Sequence, residues 1–128
     1  MRNQLIVGIK GEQSLIVSEK DSATSYGSGL IEVLATPAMI GLMEATAQQS
    51  IMSFLPEGSI TLGTEVNIKH LKATPIGQKV ICYSELLTID GRQLTFKVAA
   101  FDEVGEIGNG THTRFIVNKE KFIQKLNT

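Results

Sequence analysis

Glu44 is the one charged residue in the run from Thr36 to Phe54. Taking a carboxylate out of water costs several kcal/mol unless it is paired or neutralised. Glu44 is therefore either a working acid–base or nucleophilic group, or the mark of a partly exposed helix edge. Gln48, four residues on, would share that edge. His70 is the second candidate. Alternation along Glu65 to Leu71 places it with Val66 and Ile68 on a face expected to point inward. It is either a satisfied core histidine or the proton-handling partner of Glu44, since a carboxylate and an imidazole converging in an apolar cleft form an acid–base arrangement. Desolvation would raise the pKa of Glu44 and a protonated His70 would lower it, so the sign of any shift stays open. Thr36 is the third. It reads as a helix N-cap, and the same position allows its hydroxyl and the free amides of the first turn to stabilise charge developing on a carbonyl oxygen.

Spacing limits how these groups can meet. Thr36 and Glu44 lie eight residues apart, or ~12 Å along one helix, whereas reacting atoms must approach to ~3–3.5 Å. Two antiparallel helices from two protomers would solve this, with the start of one beside the middle of the other. A twofold homodimer, or a dimer of dimers, with sites at the interface is the expectation.

Further candidates come from small and basic residues. Gly63 precedes the His70 strand, and Gly108 and Gly110 interrupt the last strand pattern, which suggests bulges or close approach of backbone to a ligand. Arg114 suits a phosphate or carboxylate. His112 shares its face by alternation, which reads most simply as an exposed polar strand face. Cys82 has no partner nearby in sequence and reads as a core residue.

The elements that must position these groups are legible. Ser14–Ser18 suits a strand, and the Ser, Thr and Gly-rich stretch Asp21 to Gly29 reads as loop. With Thr36 capping and Pro37 at the first helical position, a helix is expected to run to about Phe54, where Pro56-Glu57-Gly58 stops it. Its apolar residues go round most of the circumference, the pattern of a buried helix. Strands are expected over Glu65–Leu71, Lys79–Ile89, Leu94–Ala100 and Ile107–Val117, with a hairpin at Asp90-Gly91 and a short terminal helix over Lys119–Leu126. One apolar helix and an antiparallel sheet imply α+β architecture with the sheet wrapped around the helix. That order is the outline of the hotdog fold.

The 128 residues suggest one domain spanning 1–128. A net charge of −1 argues against bulk nucleic-acid binding, while leaving room for a local basic spot that takes a phosphorylated ligand. A single cysteine makes neither an internal disulfide nor a zinc site. No stretch is apolar enough for a membrane span. Beyond one early Arg2 the N-terminus carries no signal-peptide pattern, so a cytoplasmic location is expected. The phosphate-cradling, nucleophile-elbow and HExxH motifs are absent.

Several blocks together resemble the hotdog thioesterases of the fluoroacetyl-CoA thioesterase type. They are Val33-Leu34-Ala35-Thr36-Pro37-Ala38-Met39-Ile40-Gly41-Leu42-Met43-Glu44, Leu62-Gly63-Thr64, His70 with Ala73-Thr74-Pro75-Ile76-Gly77, and Glu106 to Arg114. The resemblance places that family's Thr, Glu and His catalytic set on Thr36, Glu44 and His70, and its ligand-side glycine and arginine on Gly63 and Arg114. It implies a hotdog dimer that hydrolyses an acyl-CoA thioester with no metal or bound redox cofactor, CoA being part of the substrate. Glu44 would attack the thioester or activate water, His70 would handle protons, and Thr36 would orient or polarise the thioester. A non-catalytic acyl-CoA binding protein and a hotdog dehydratase or hydratase are the alternatives. The fluoroacetyl-specific enzyme carries a phenylalanine-rich lid before its central helix. Here Ser25 to Glu32 holds no phenylalanine, so a broader or different acyl group is expected.

Overall fold

The computed structural model describes residues 4–128, so Arg2 lies outside the described residues. Five strands form one antiparallel sheet: β1 (Lys10–Ile16), β2 (Ser59–His70), β3 (Lys79–Asp90), β4 (Gln93–Phe101) and β5 (Glu106–Asn118). Their order is β1-β3-β4-β5-β2, which leaves β1 and β2 at the edges. The helix α2 (Thr36–Ile51) packs across one face of this sheet, against β1, β3, β4 and β2. This is the hotdog arrangement, as the sequence led us to expect. A one-turn helix, α1 (Ala23–Tyr26), precedes α2, and α3 (Lys119–Leu126) ends the chain.

The period of two on the inner face is strict. Leu94, Phe96, Val98 and Ala100 of β4 are fully buried, as are Val80, Cys82 and Leu86 of β3. They meet Met39, Met43, Ala47 and Ile51 of α2, spaced four residues apart along one helical stripe. The expected hairpin forms at Gly91-Arg92, with Asp90 paired to Gln93 and Gly91 at a φ of 61°.

Five details differ from the sequence expectations. The first strand starts four residues earlier than Ser14 and ends at Ile16, two before Ser18. Asp21–Gly29 is not plain loop: Ser22 caps α1, its side chain accepting from the Ser25 amide at 3.2 Å. The strand carrying His70 begins at Ser59, six residues early, so Gly63 sits inside it. There β2 and β5 shift register between Gly63 and Glu65, leaving Thr64 as a bulge. The helix keeps α geometry only to Ile51 and tightens to a 3₁₀ turn over Met52–Phe54. Finally, the helix is buried on one side only within the chain. Gly41, Gln49 and Met52 are exposed, and Leu42, Glu44, Ala45 and Gln48 are half-buried. The sheet is wide enough to cover one face of the cylinder and no more.

Among the described residues, no helix is long and apolar enough to cross a membrane.

Candidate active site

Thr36 opens α2 but does not cap it. Ala35 is the N-cap residue, with extended backbone, and Pro37 takes the second helical position. The Thr36 hydroxyl is drawn elsewhere, to Nδ1 of His70 at 2.7 Å. Two backbone links fix the segment after β2, one to the residues before the helix and one to β5. The Leu34 amide donates to the Thr74 carbonyl at 2.8 Å, and the Leu71 amide donates to the Ile107 carbonyl at 2.7 Å. The 71–74 segment is itself fastened by Asp102. This buried carboxylate accepts from Lys72 Nζ, from Thr74 Oγ1 at 2.8 Å, and from the Val104 and Gly105 amides at 2.8 and 3.1 Å. Burial alone would raise its pKa. Lys72 and the other three donors outweigh that and hold it far below the usual carboxylate range.

His70 is half-buried. Burial lowers its pKa, against an opposing backbone interaction at Lys72. Its Nε2 is shielded from solvent and has no hydrogen-bond partner among the described residues. A cavity of about 330 Å³ opens at this point, lined by Val33, Leu34, Thr36, His70 and Ala73 among others.

Glu44 lies elsewhere, two turns along α2, over the other half of β2. A Cβ added to Gly63 would sit 3.0 Å from Glu44 Oε2, 3.1 Å from His112 Cε1 and 3.3 Å from Arg114 Nη1. The bare glycine thus lets three side chains from α2 and β5 converge on one point. His112 and Arg114 are not on an exposed face, contrary to the alternation reading. They are 1% and 4% exposed, because β5 is a central strand and this face lies under the helix. Arg114 is tightly held. Its Nε donates to Thr61 Oγ1 at 2.7 Å, and its Nη2 donates to the Thr61 carbonyl at 2.9 Å and to Gln48 Oε1 at 3.2 Å. Its Nη1 donates to His112 Nε2 at 3.1 Å. Burial lowers the Arg114 pKa and the Glu44 carboxylate raises it. The two form no direct ion pair: Lys72–Asp102 is the salt bridge found among the described residues.

Gly108 and Gly110 are explained by close approach within the chain. A Cβ on Gly108 would strike Met39 Sδ at 2.6 Å, and one on Gly110 would overlap the Asn67 carbonyl. Cys82 is a core residue, as expected.

The expected convergence of Glu44 on His70 does not occur within one chain. Gly63 marks the carboxylate, and it pairs with Arg114 while His70 pairs with Gly108. Six residue steps along β5 separate these pairs, about 20 Å at the rise of a strand. One chain therefore presents two half-sites, Thr36 with His70 at one end of β2 and Glu44 with Gly63, His112 and Arg114 at the other. Sequence reasoning missed His112. The available signal was Gly108 at the same parity, since a residue without a side chain on that face suits the tight space beneath a helix.

The family model described as "FlK: Fluoroacetyl-CoA-specific thioesterase" matches residues 17–120. The fluoroacetyl-CoA thioesterase of Streptantibioticus cattleyicolor is 42% identical over 95 residues, 74% of this chain and 68% of that protein. A solved structure of the fluoroacetyl-CoA thioesterase FlK superposes with a TM-score of 0.90 at 34% identity, covering 98% of this chain and 97% of that one. A variant of that enzyme crystallised with fluoroacetate and CoA gives 0.86 at 35% identity, over 92% and 99% of the two chains. With its fold, its sequence and most of its length in common with these proteins, the chain belongs to the fluoroacetyl-CoA-specific thioesterase family of hotdog thioester hydrolases.

Proposed function

We propose that this protein hydrolyses a small acyl-CoA thioester to the free acid and CoA, at sites shared between the two chains of a twofold dimer. The observation that carries this reading is the split of the polar groups into two half-sites at opposite ends of β2. An antiparallel partner brings the Glu44 end of one chain to the His70 end of the other, twice over. Two features support such a partner. Strand β2 is a twelve-residue edge whose Val66 is 44% exposed, and long unpaired edges are normally covered. The half-open side of the apolar helix α2 also wants cover.

In the assembled site, the thioester carbonyl lies against the Thr36 hydroxyl and the first-turn amides of α2, which stabilise the oxyanion as it forms. Glu44 of the facing chain either attacks the carbonyl carbon or takes a proton from the water that does. If Glu44 attacks, the C–S bond breaks to give an acyl–Glu44 anhydride and the CoA thiolate. Water then cleaves the anhydride and restores the carboxylate. His70, kept neutral by burial, takes a proton from the water that cleaves the anhydride and gives it to the CoA thiolate. Where Glu44 is instead the base, the proton it takes from water is the one passed through His70 to the leaving sulfur. This chemistry calls on no metal and no bound redox cofactor. The segment before the helix presents Leu30, 97% exposed, and no phenylalanine, so we expect little preference for fluoroacetyl over acetyl.

The test is free-thiol release from a panel of short, medium and aromatic acyl-CoAs, with Glu44→Gln in parallel. Turnover that disappears in the variant supports the reading. Wild-type rates in Glu44→Gln would overturn the mechanism, and a monomer with full activity would overturn the shared site.

A further inference from the structure

The mechanism above leaves two buried titratable groups of the Glu44 half-site idle, Arg114 and the imidazole of His112. Its two ring nitrogens are both committed, and their partners fix its chemistry. Nδ1 lies 2.8 Å from the Glu65 carbonyl, which can only accept, so Nδ1 carries the proton. Nε2 lies 3.1 Å from Arg114 Nη1, which can only donate, so Nε2 carries a lone pair. The ring is therefore a neutral imidazole in a single tautomer, stacked on Phe96 with centroids 6.4 Å apart.

Arg114 has five N–H groups. Thr61 takes two, Gln48 one and His112 one. The fifth, on Nη1, is unspent, and Nη1 and Glu44 Oε2 both lie within 3.3 Å of the point above Gly63 that a Cβ would fill. An oxygen atom lying between the two, in van der Waals contact with the bare Gly63, would accept from Arg114 and meet Glu44 at once. Both Nη1 protons lie in the guanidinium plane, so the bond to His112, with those to Thr61 and Gln48, fixes the direction of the last one.

We propose that His112 is a positioning residue, whose Nε2 lone pair takes one Nη1 proton of Arg114 and so aims the other at the reacting oxygen beside Glu44. This rests on the thioesterase reading for what the oxygen belongs to, but the hydrogen-bond assignment stands apart from it. A protonated His112 would set N–H against N–H and turn the guanidinium away. The surroundings oppose that protonation. Burial lowers the His112 pKa, the Glu65 carbonyl of β2 and Glu44 of α2 pull the other way, and the Arg114 charge on β5 lowers it further. Phe96 of β4 adds no charge.

Two substitutions separate positioning from packing. His112→Gln keeps an acceptor at the position of Nε2. His112→Asn keeps a donor toward Glu65 but cannot reach Arg114. We expect His112→Asn to lose ~10–100-fold in kcat/KM, the range for groups that orient a working residue. His112→Gln should retain most of the activity, with the two melting temperatures close. In an Arg114→Gln background the His112→Asn loss should largely vanish. Equal losses in Asn and Gln, or an undiminished Asn loss without Arg114, would overturn the proposal. A second readout needs no substrate. Long-range ¹H–¹⁵N correlation of histidine-labelled protein should show His112 as the Nδ1–H tautomer at pH 7. An Nε2–H or doubly protonated ring would overturn it even in an active enzyme. Absence of acyl-CoA turnover in the wild type would instead count against the thioesterase reading and leave the tautomer result standing.

Discussion

The two ends of β2 are built on opposite plans. At the Glu44 end, Arg114 and His112 are buried, and every side-chain nitrogen of these two has a partner inside the chain, with one guanidinium proton left over. At the His70 end, one hydrogen bond to Thr36 holds the ring, Nε2 is unpartnered and a cavity opens beside it. Charge that must keep a fixed direction is held by a saturated network. The group to which the proposed mechanism gives the proton transfers is left with a nitrogen to spare. Rigidity at the first end comes from side chains on a central strand, and at the second from backbone links through the 71–74 segment.

The largest effect should come from testing whether the ends belong to one site. Glu44→Gln and His70→Ala should each lose ~10²–10⁴-fold in activity. Refolded together, they should recover about a quarter of the wild-type rate, because half the dimers are mixed and each mixed dimer holds one intact site. No recovery would show that each site is built from one chain. Next is Asp102→Ala, which strands Lys72, Thr74 and two amides. We expect a loss of about 3 kcal/mol in urea unfolding and weaker turnover through the His70 end alone. An unchanged midpoint would show that the 71–74 segment does not depend on this carboxylate. Gly63→Ala should be milder, about 1–3 kcal/mol with roughly tenfold lower kcat/KM, since its methyl would meet Glu44, His112 and Arg114 at 3.0–3.3 Å. Full activity in that variant would mean the Glu44 end yields more than its packing implies. The smallest effect is in pH. His70 and His112 both have folded pKa values below 6.5. The unfolded chain therefore binds protons first on acidification. Stability should be full above 6.5 and fall as pH drops through the folded values. Urea midpoints at pH 7.5 and 5.5 measure this, and a midpoint that rose at 5.5 would contradict it.

Much of this was legible in the chain itself. The period of two in Leu94, Phe96 and Val98 gave the inner face of β4, and the Asp90-Gly91 signal gave its hairpin. Glu44, His70, Thr36, Gly63 and Arg114 stand out by type and position, and all five line the two half-sites. Alternation could not say which face of β5 lies under the helix, because that depends on strand order. Hence an exposed polar face stayed open as a reading of His112 and Arg114, beside the ligand role given to Arg114. Nor could capping preference show that the Thr36 hydroxyl would be claimed by a residue 34 positions away. Long-range hydrogen bonds override local propensity wherever the fold supplies a stronger partner.

The bulge at Thr64 has a consequence of parity. Gly63 and His70 are an odd number of residues apart, so in a regular strand they would face opposite sides of the sheet. The extra residue advances the chain without advancing the pleat. Gly63 therefore pairs with Arg114 and His70 with Gly108, both even-numbered and both under the helix. A single inserted threonine is what turns both half-sites inward. Deleting it would keep the strand's length nearly unchanged and yet direct one of the two out to solvent, which makes Thr64, a residue with no chemistry of its own, the switch point of the site's geometry.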